Sequence, residues 1–294
     1  MPELPEVHTT VEGLRGVVVG KTIKNVWSDF HLSTAHGNRE TIKNKKYFED
    51  FKKKTIGSKV VGVERRGKYI LVNLIPSTSS GQAEYTIVIH MKMTGCLMYK
   101  KDYSDEKYIH LIFTLSNNHY LLLSDLRKFA SITISETKNL HSHENIGKLG
   151  IDALHKDFDY KKLKDLIKSR NKNPIKNTLL DQTLIAGIGN IYSDEILFET
   201  SIHPLSQSNM IPDKKFSEIF RVMQKILLFS IKHGGDSKSD YRNAFGEKGG
   251  FQNFHKAYGN KDKKCPLRGC PGIIQRIVVK GRSSHFCPIH QKLY

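Results

Sequence analysis

KVVGVERRGKYILVNL, residues 59–74, holds two short runs, KVVGVER (59–65) and KYILVNL (68–74), rich in β-branched and aromatic residues and separated by Arg66 and a glycine. Runs of this kind read as β-strands. TIKNVW (22–27) precedes them, and YTIVIH (85–90), YIHLIFTL (108–115) and YLLLSD (120–125) follow, set apart by turn-rich pieces such as PSTSSGQ (76–82) and SNNH (116–119). Six or more strands with no intervening helix point to an antiparallel β-sandwich or barrel. The polar, Lys-rich stretch from His31 to Lys54 is expected to be a loop with some local helix. Ahead of the strands, residues 5–19 read as a helix. Pro5 suits the first helical position, Glu3 and Glu6 suit the positive end, and Val7, Val11, Leu14 and Val18 share one face.

From about residue 158 the period becomes helical. FDYKKLKDLIKSR (158–170) has an Asp cap and an apolar Leu163/Leu166/Ile167 face; a second helix follows Pro174, and a third begins after GIGN (187–190). PDKKFSEIFRVMQKILLFSIKHGG (212–235) carries Ile219, Met223, Ile226, Leu227 and Ile231 on one face and stops at Gly234. Residues 236–256 are polar and glycine-rich, a loop of a length that is usually functional or disordered. There is no internal repeat.

Lys plus Arg number 47 against 29 Asp plus Glu, a formal net charge of +18, so a polyanionic partner is favoured. Nucleic acid is the leading reading; solubilising charge and an anionic membrane surface are the alternatives. No apolar run approaches a membrane span, and the first residues lack the basic-then-apolar layout of a signal peptide, so a cytoplasmic protein is expected.

Three of the four cysteines crowd into the last thirty residues. Cys265, Cys270, Cys287 and His290 form C-x4-C-x16-C-x2-H, two short-spaced pairs around a strand-sized stretch, which is the layout of a zinc ribbon with tetrahedral Zn²⁺. His285 is an alternative fourth ligand, though C-x2-H is the better spacing. Cys96 reads as a buried small side chain rather than a reactive thiol. In TLIAGIGNIYSDEILF (183–198), Gly187 and Gly189 allow close backbone approach and Asn190 can cap the next helix. That is either a phosphate site or simply an interhelical turn.

MPELPEV, residues 1–7, is the remaining signal. Once Met1 is removed, Pro2 presents a secondary α-amine, and α-amino groups titrate at about 7.7–8.0, so a substantial fraction is neutral and nucleophilic. Attack on an aldehyde carbon gives an iminium, an electron sink for eliminations, with Glu3 placed to move protons. The competing reading is a helix lead-in with acidic capping.

Taken together, MPELPEV, RRGKYILV, IVIHMKMTGCLM, DLRKFA, IKNTLLDQTLIAGIGNIYSDEILF and the cysteine hairpin occur in the order that resembles the formamidopyrimidine-DNA glycosylase family, over essentially the whole chain. Leu4 is more similar to the oxidised-purine branch than to the endonuclease VIII branch. The resemblance implies an α+β fold: an N-terminal antiparallel β-sandwich with an N-terminal helix, then a helix–two-turn–helix domain with a zinc-ribbon hairpin. The domains expected are a catalytic sandwich (1–140), a linker (141–157), a DNA-binding domain (158–255) including a lesion-capping loop (235–255), and a zinc-finger hairpin (256–294). DNA would lie in the basic cleft between the two main domains.

The resemblance further implies a monomeric base-excision-repair enzyme acting on double-stranded DNA with oxidised bases or abasic sites, with one structural Zn²⁺ and no organic cofactor. It would excise 8-oxoguanine and formamidopyrimidines paired with cytosine, then nick by β,δ-elimination. Pro2 would be the nucleophile, Glu3 the acid/base, and Lys68 the catalytic-centre lysine. Arg282, Asn190, His90, His110 and Lys176 would bind the DNA backbone. Met93, Arg127 and Phe129 would fill the gap left by the extruded nucleotide, with Arg127 checking the cytosine; without the flanking motifs Met93 and Phe129 would read as core. Ser239, Asp240, Tyr241 and Arg242 would lie in the lesion loop. Against the family's usual pattern, Lys92 replaces a glycine, Tyr108 a histidine, and His290 a cysteine. The alternatives are an endonuclease VIII-like glycosylase for oxidised pyrimidines and a non-catalytic protein that binds damaged DNA.

Overall fold

The structure, a computed structural model, describes residues 1–32, 41–77 and 83–294. Part of the expected turn at 76–82, and residues 33–40 of the expected 31–54 loop, lie outside them. The chain divides into two compact units, residues 1–147 with 234–250, and residues 148–233 with 251–294.

The first unit opens with α1 (Leu4–Val18), which has proline in its first turn and buries Leu4, Val7, Val11, Leu14 and Val18. The Glu6 carboxylate accepts the Glu3 N–H at 2.7 Å, one arm of a capping box. Eight strands follow: β1 (Ile23–Ser28), β2 (Lys59–Arg66), β3 (Tyr69–Ile75), β4 (Tyr85–His90), β5 (Gly95–Lys100), β6 (Ile109–Leu115), β7 (Tyr120–Asp125) and β8 (Ser131–Glu136). They form two four-stranded antiparallel sheets, β1-β6-β7-β5 and β2-β3-β4-β8. Val26, Phe113 and Leu121 of one sheet share a single buried cluster with Ile70, Val72 and Ile87 of the other, which makes this a sandwich. The local helix in the Lys-rich stretch is α2 (Lys45–Thr55). Asn44 caps it, and Phe48 and Phe51 are its buried contribution.

Two strands beyond the six read from the sequence complete the sheets, β5 and β8, and both lie at sheet edges. Their exposed backbones are covered. Tyr99 N–H of β5 donates to Ala244 O at 2.7 Å. On β8, the Tyr47 hydroxyl accepts the Ile134 N–H at 2.9 Å and donates to Ile134 O at 3.2 Å. The segment 234–250, expected in the helical domain, therefore clusters with the sandwich, because Ala244 is part of the sandwich core.

The second unit contains a two-stranded parallel pair, β9 (Ile151–Asp152) with β10 (Ile185–Ala186), and the helices α3 (Tyr160–Lys168), α4 (Ile175–Leu180), α5 (Asn190–Glu199) and α6 (Lys215–Lys232). Asp159 caps α3 by accepting the Lys162 N–H at 2.8 Å. α6 buries Phe216, Ile219, Val222, Met223 and Leu227, and ends before Gly234 at φ +74°. The hairpin β11 (Gln275–Val279) and β12 (Arg282–Phe286) turns through Lys280 (φ +45°) and Gly281 (φ +80°), the two left-handed residues of a tight two-residue loop.

Candidate active site and nucleic-acid interface

Pro2 and Glu3 stand at the start of α1, both buried, Glu3 to 2% exposure. Glu6, one turn on, holds two chain segments: one carboxylate oxygen takes the Glu3 N–H and the other the Asp236 N–H, each at 2.7 Å. The Tyr241 hydroxyl adds a bond to Glu6 O at 2.9 Å. Gly235 has φ +83°, and a Cβ there would lie 3.0 Å from Glu6 Cγ, so only glycine lets the loop approach. The segment expected to cap a lesion is thus anchored on the helix that carries Pro2 and Glu3. Ser239 and Asp240 are exposed, whereas Tyr241 points inward as a structural anchor rather than a lesion contact. Arg242 Nη1 donates to Tyr241 O at 2.8 Å. Cys96 Sγ lies 3.3 Å from Asp240 O and 3.3 Å from Arg242 N. Burial pushes its thiol up to about 11, which keeps it protonated and able to donate to that carbonyl.

Lys68, just past the Gly67 turn between β2 and β3, is buried. His90 at the end of β4 is held far below an ordinary histidine, at about 3, by burial first and then by the charges of Lys92 and Lys68. Its Nδ1 accepts the Lys92 N–H at 2.9 Å, which leaves Nε2 to carry the proton and act as donor. A histidine that stays neutral when folded but charges when unfolded lowers stability as pH falls below about 6.5, with the loss complete near 3. Acidification from pH 7 to 4.5 is therefore expected to cost the wild type about 2–3 kcal/mol more than a His90→Gln variant. Denaturant titrations of both proteins at the two pH values check this; equal acid sensitivity would contradict it.

His110 Nδ1 pairs with Asp29 Oδ1 at 2.9 Å, and the other Asp29 oxygen takes Lys128 Nζ at 2.9 Å. Met93 and Phe129 are 44% and 40% exposed, so neither is core. Arg127 joins them: its guanidinium sits 4.4 Å from the Phe129 ring centre, and Nη1 lies 3.1 Å from Met93 Sδ. Behind this exposed trio, fully buried Asp125 accepts from Thr94 Oγ1 (2.5 Å), Ala130 N (2.7 Å) and Arg127 N (3.3 Å), tying the two loops together. Lys92 (φ +54°), Lys128 (φ +52°) and Tyr108 (φ +58°) are all left-handed. Lys92 thus takes up a backbone form that favours glycine, at a strain of about 1–2 kcal/mol.

In the second unit Gly187 (φ +114°) supports the turn before α5, but Gly189 is the N-cap and Asn190 the first helical residue, correcting the expected Asn190 cap. Asn190 Nδ2 donates to Ser283 Oγ at 3.3 Å, beside exposed Arg282. Lys176, expected on the DNA, is fully buried. Its Nζ donates to Asp194 Oδ1 (2.5 Å), Ser193 Oγ (2.8 Å) and Asn190 O (3.0 Å), so it does not present its charge to a phosphate. Sequence alone missed the bonds that Asp194, Asp125 and Glu6 make, although each acid lies within one of the quoted motifs.

Cys265, Cys270, Cys287 and His290 converge, their ligand atoms all within 4.8 Å of one another. Cys265 Sγ–His290 Nδ1 is 3.4 Å, Cys270 Sγ–Cys287 Sγ 3.6 Å and Cys270 Sγ–His290 Nδ1 3.9 Å. Tetrahedral zinc with Zn–S of about 2.3 Å and Zn–N of about 2.0–2.1 Å puts its ligands roughly 3.5–3.8 Å apart, so the set fits such an ion. His290 Nε2 lies 3.3 Å from Phe198 O, the outer partner that orients a ligating imidazole. His285 is engaged elsewhere, with Asp194.

Residues 1–132 match the formamidopyrimidine-DNA glycosylase N-terminal domain, and residues 149–242 the H2TH domain of the same family. The formamidopyrimidine-DNA glycosylase of Lactobacillus acidophilus is 35% identical over 297 residues, covering 100% of both chains. That of Bacillus subtilis is 34% identical over 291 residues, covering 98% of both. Among solved structures, Lactococcus lactis Fpg in complex with an abasic-site-containing DNA has a TM-score of 0.84 at 31% identity, covering 99% of each chain. A mutant of that protein with a Fapy-dG-containing DNA has the same TM-score and identity, covering 99% of this chain and 100% of its own. On the strength of this full-length match, the chain belongs to the formamidopyrimidine-DNA glycosylase family.

Proposed function

We propose that this protein is a bifunctional DNA glycosylase and AP lyase of base excision repair, excising oxidised purines from duplex DNA. The observation that carries the reading is the buried Pro2–Glu3 start of α1, tied through Glu6 to the 234–250 loop. With Met1 removed, the Pro2 nitrogen attacks C1′ of the damaged nucleotide; the C1′–N bond breaks and the base leaves with a proton. Glu3 delivers a proton to the ring oxygen, and the sugar opens to an iminium on Pro2. Loss of a C2′ proton expels the 3′-oxygen, a second elimination expels the 5′-oxygen, and hydrolysis of the imine frees the enzyme. A one-nucleotide gap with phosphate ends remains.

Lys68, and His90 through Nε2, supply donors to the phosphate beside the lesion; Asn190 and Arg282 do the same for the backbone. His110, which Asp29 braces, would serve the same task. Met93 and Phe129, each in contact with Arg127, fill the stack with it and offset the few kcal/mol that base extrusion costs. Cys265, Cys270, Cys287 and His290 hold zinc as a structural cross-link of the hairpin. The protein works in the cytoplasm, and no described helix is long and apolar enough to cross a membrane.

Borohydride trapping on a duplex with one 8-oxoguanine opposite cytosine, followed by analysis of the N-terminal peptide, tests the reading. A covalent adduct on Pro2 is expected. Binding without any adduct, on this substrate or on an abasic duplex, would replace the enzyme by a protein that only binds damaged DNA.

A further inference from the structure

The burial of Lys176 raises the question of what its charge is for. Its partner, Asp194 on α5, is 0% exposed and has more than one neighbour. Asp194 Oδ1 also accepts from Ser284 Oγ at 2.7 Å. Oδ2 accepts the His285 N–H at 2.9 Å and lies 3.0 Å from His285 Nδ1. Ser284 and His285 belong to β12, the strand that begins at Arg282. On the other side, Lys176 Nζ reaches Asn190 O at 3.0 Å, and Asn190 Nδ2 reaches Ser283 Oγ at 3.3 Å. One buried carboxylate therefore joins the start of α5 to the hairpin arm, with the residues assigned to the DNA backbone at its two ends.

We propose that Asp194 is the positioning residue that sets Asn190 and Arg282 in one register for two successive phosphates. The argument rests on the proposed reading of those two residues as phosphate contacts. The carboxylate never touches DNA; it acts by fixing β12 with three bonds, one to its backbone and two to its side chains, that do not involve the cysteine cluster. The hairpin is thus held twice, by its metal ligands at the base and by Asp194 along β12. A hairpin held only at its base would let Arg282, at the exposed turn, sample positions away from the phosphate. A contact made only part of the time contributes proportionately less to affinity and to counterion release.

The test uses Asp194→Asn. With its amide oxygen kept toward Lys176 and Ser284, this change turns an NH2 group against the His285 N–H, so it breaks that backbone bond to β12 and also removes the charge that balances the buried lysine. Ser284→Ala removes a single hairpin bond and leaves the buried ion pair whole. Affinity for an abasic-analogue duplex is measured across a salt series, at zinc content matched to the wild type. Asp194→Asn is expected to weaken binding about tenfold and to lower the slope of log K against log salt by about 0.9, the signature of one lost phosphate contact. Ser284→Ala should shift both in the same direction by less. Combining Asp194→Asn with Arg282→Ala should cost no more than Arg282→Ala alone. Wild-type affinity and slope in both single variants, or losses that simply add to that of Arg282→Ala, would overturn the proposal. Should Asp194→Asn not fold, Ser284→Ala decides alone. Because the readout is binding, absence of a Pro2 adduct in the wild type would count against the proposed chemistry and leave this inference standing.

Discussion

Pro2→Gly is expected to lose base excision and borohydride trapping by roughly a thousandfold or more, while binding an abasic-analogue duplex within about threefold of the wild type. The variant still has an α-amine, so the prediction turns on what proline adds to it. A secondary amine yields an iminium that keeps its positive charge at any pH, whereas a primary amine gives an imine that must be protonated before it can draw electrons. The ring also stops rotation about the N–Cα bond, so the nitrogen lone pair points at C1′ along one direction instead of many. Glu3 and its hydrogen bond to Glu6 remain, so the helix start should fold as before. The two readouts are single-turnover excision and duplex affinity. Excision at the wild-type rate would remove Pro2 from the mechanism, and a parallel collapse of binding would show that the change had disturbed more than chemistry.

Stripping zinc is the second large effect. The ribbon places only a few side chains in its apolar cluster, among them Cys265, Cys287, Ala257 and Ile274, so on the proposed reading a bound zinc would replace the core that so short a segment cannot build. In the apo-protein the thiolates repel one another or take up protons, and the base of the β11–β12 hairpin loosens. On the proposed reading of Arg282 as a backbone contact, it is then no longer presented to a phosphate. Loss of one charge-assisted hydrogen bond of about 1.5–3 kcal/mol weakens duplex binding roughly 10- to 150-fold. Metal content by atomic spectroscopy and affinity on the same sample check this, and re-addition of zinc should restore both. Unchanged affinity in verified apo-protein would mean that the hairpin is ordered without its metal.

Residues close in sequence made much of this legible, and residues distant in sequence hid the rest. The six strand runs were visible because their β-branched side chains are adjacent, and the cysteine cluster because ligand spacing is encoded within a few residues. β5 begins at a glycine and β8 reads SITISE, two-thirds polar, since an edge strand needs less apolar surface than a central one. Lys176 looked like a surface lysine because its partner lies 18 residues away, and a buried ion pair leaves no periodic trace. The same holds for Glu6, whose bond to Asp236 spans 230 residues, and for Asp125, which reaches back to Thr94. That Tyr241 is buried against α1 left no trace either, because the burial of a loop tyrosine depends on the helix beneath it.

The 234–250 segment also constrains how the chain can be made. Ala244 completes the sandwich core, Tyr241 seals α1, and Ala244 O satisfies the edge of β5. During synthesis from the N-terminus, residues 1–147 therefore emerge without a piece of their own interior and must wait for residue 250. Until then a β-edge and an apolar seam stay open on the ribosome, a window in which chaperones or aggregation compete with folding. A fragment cut at residue 147 would keep that window open permanently.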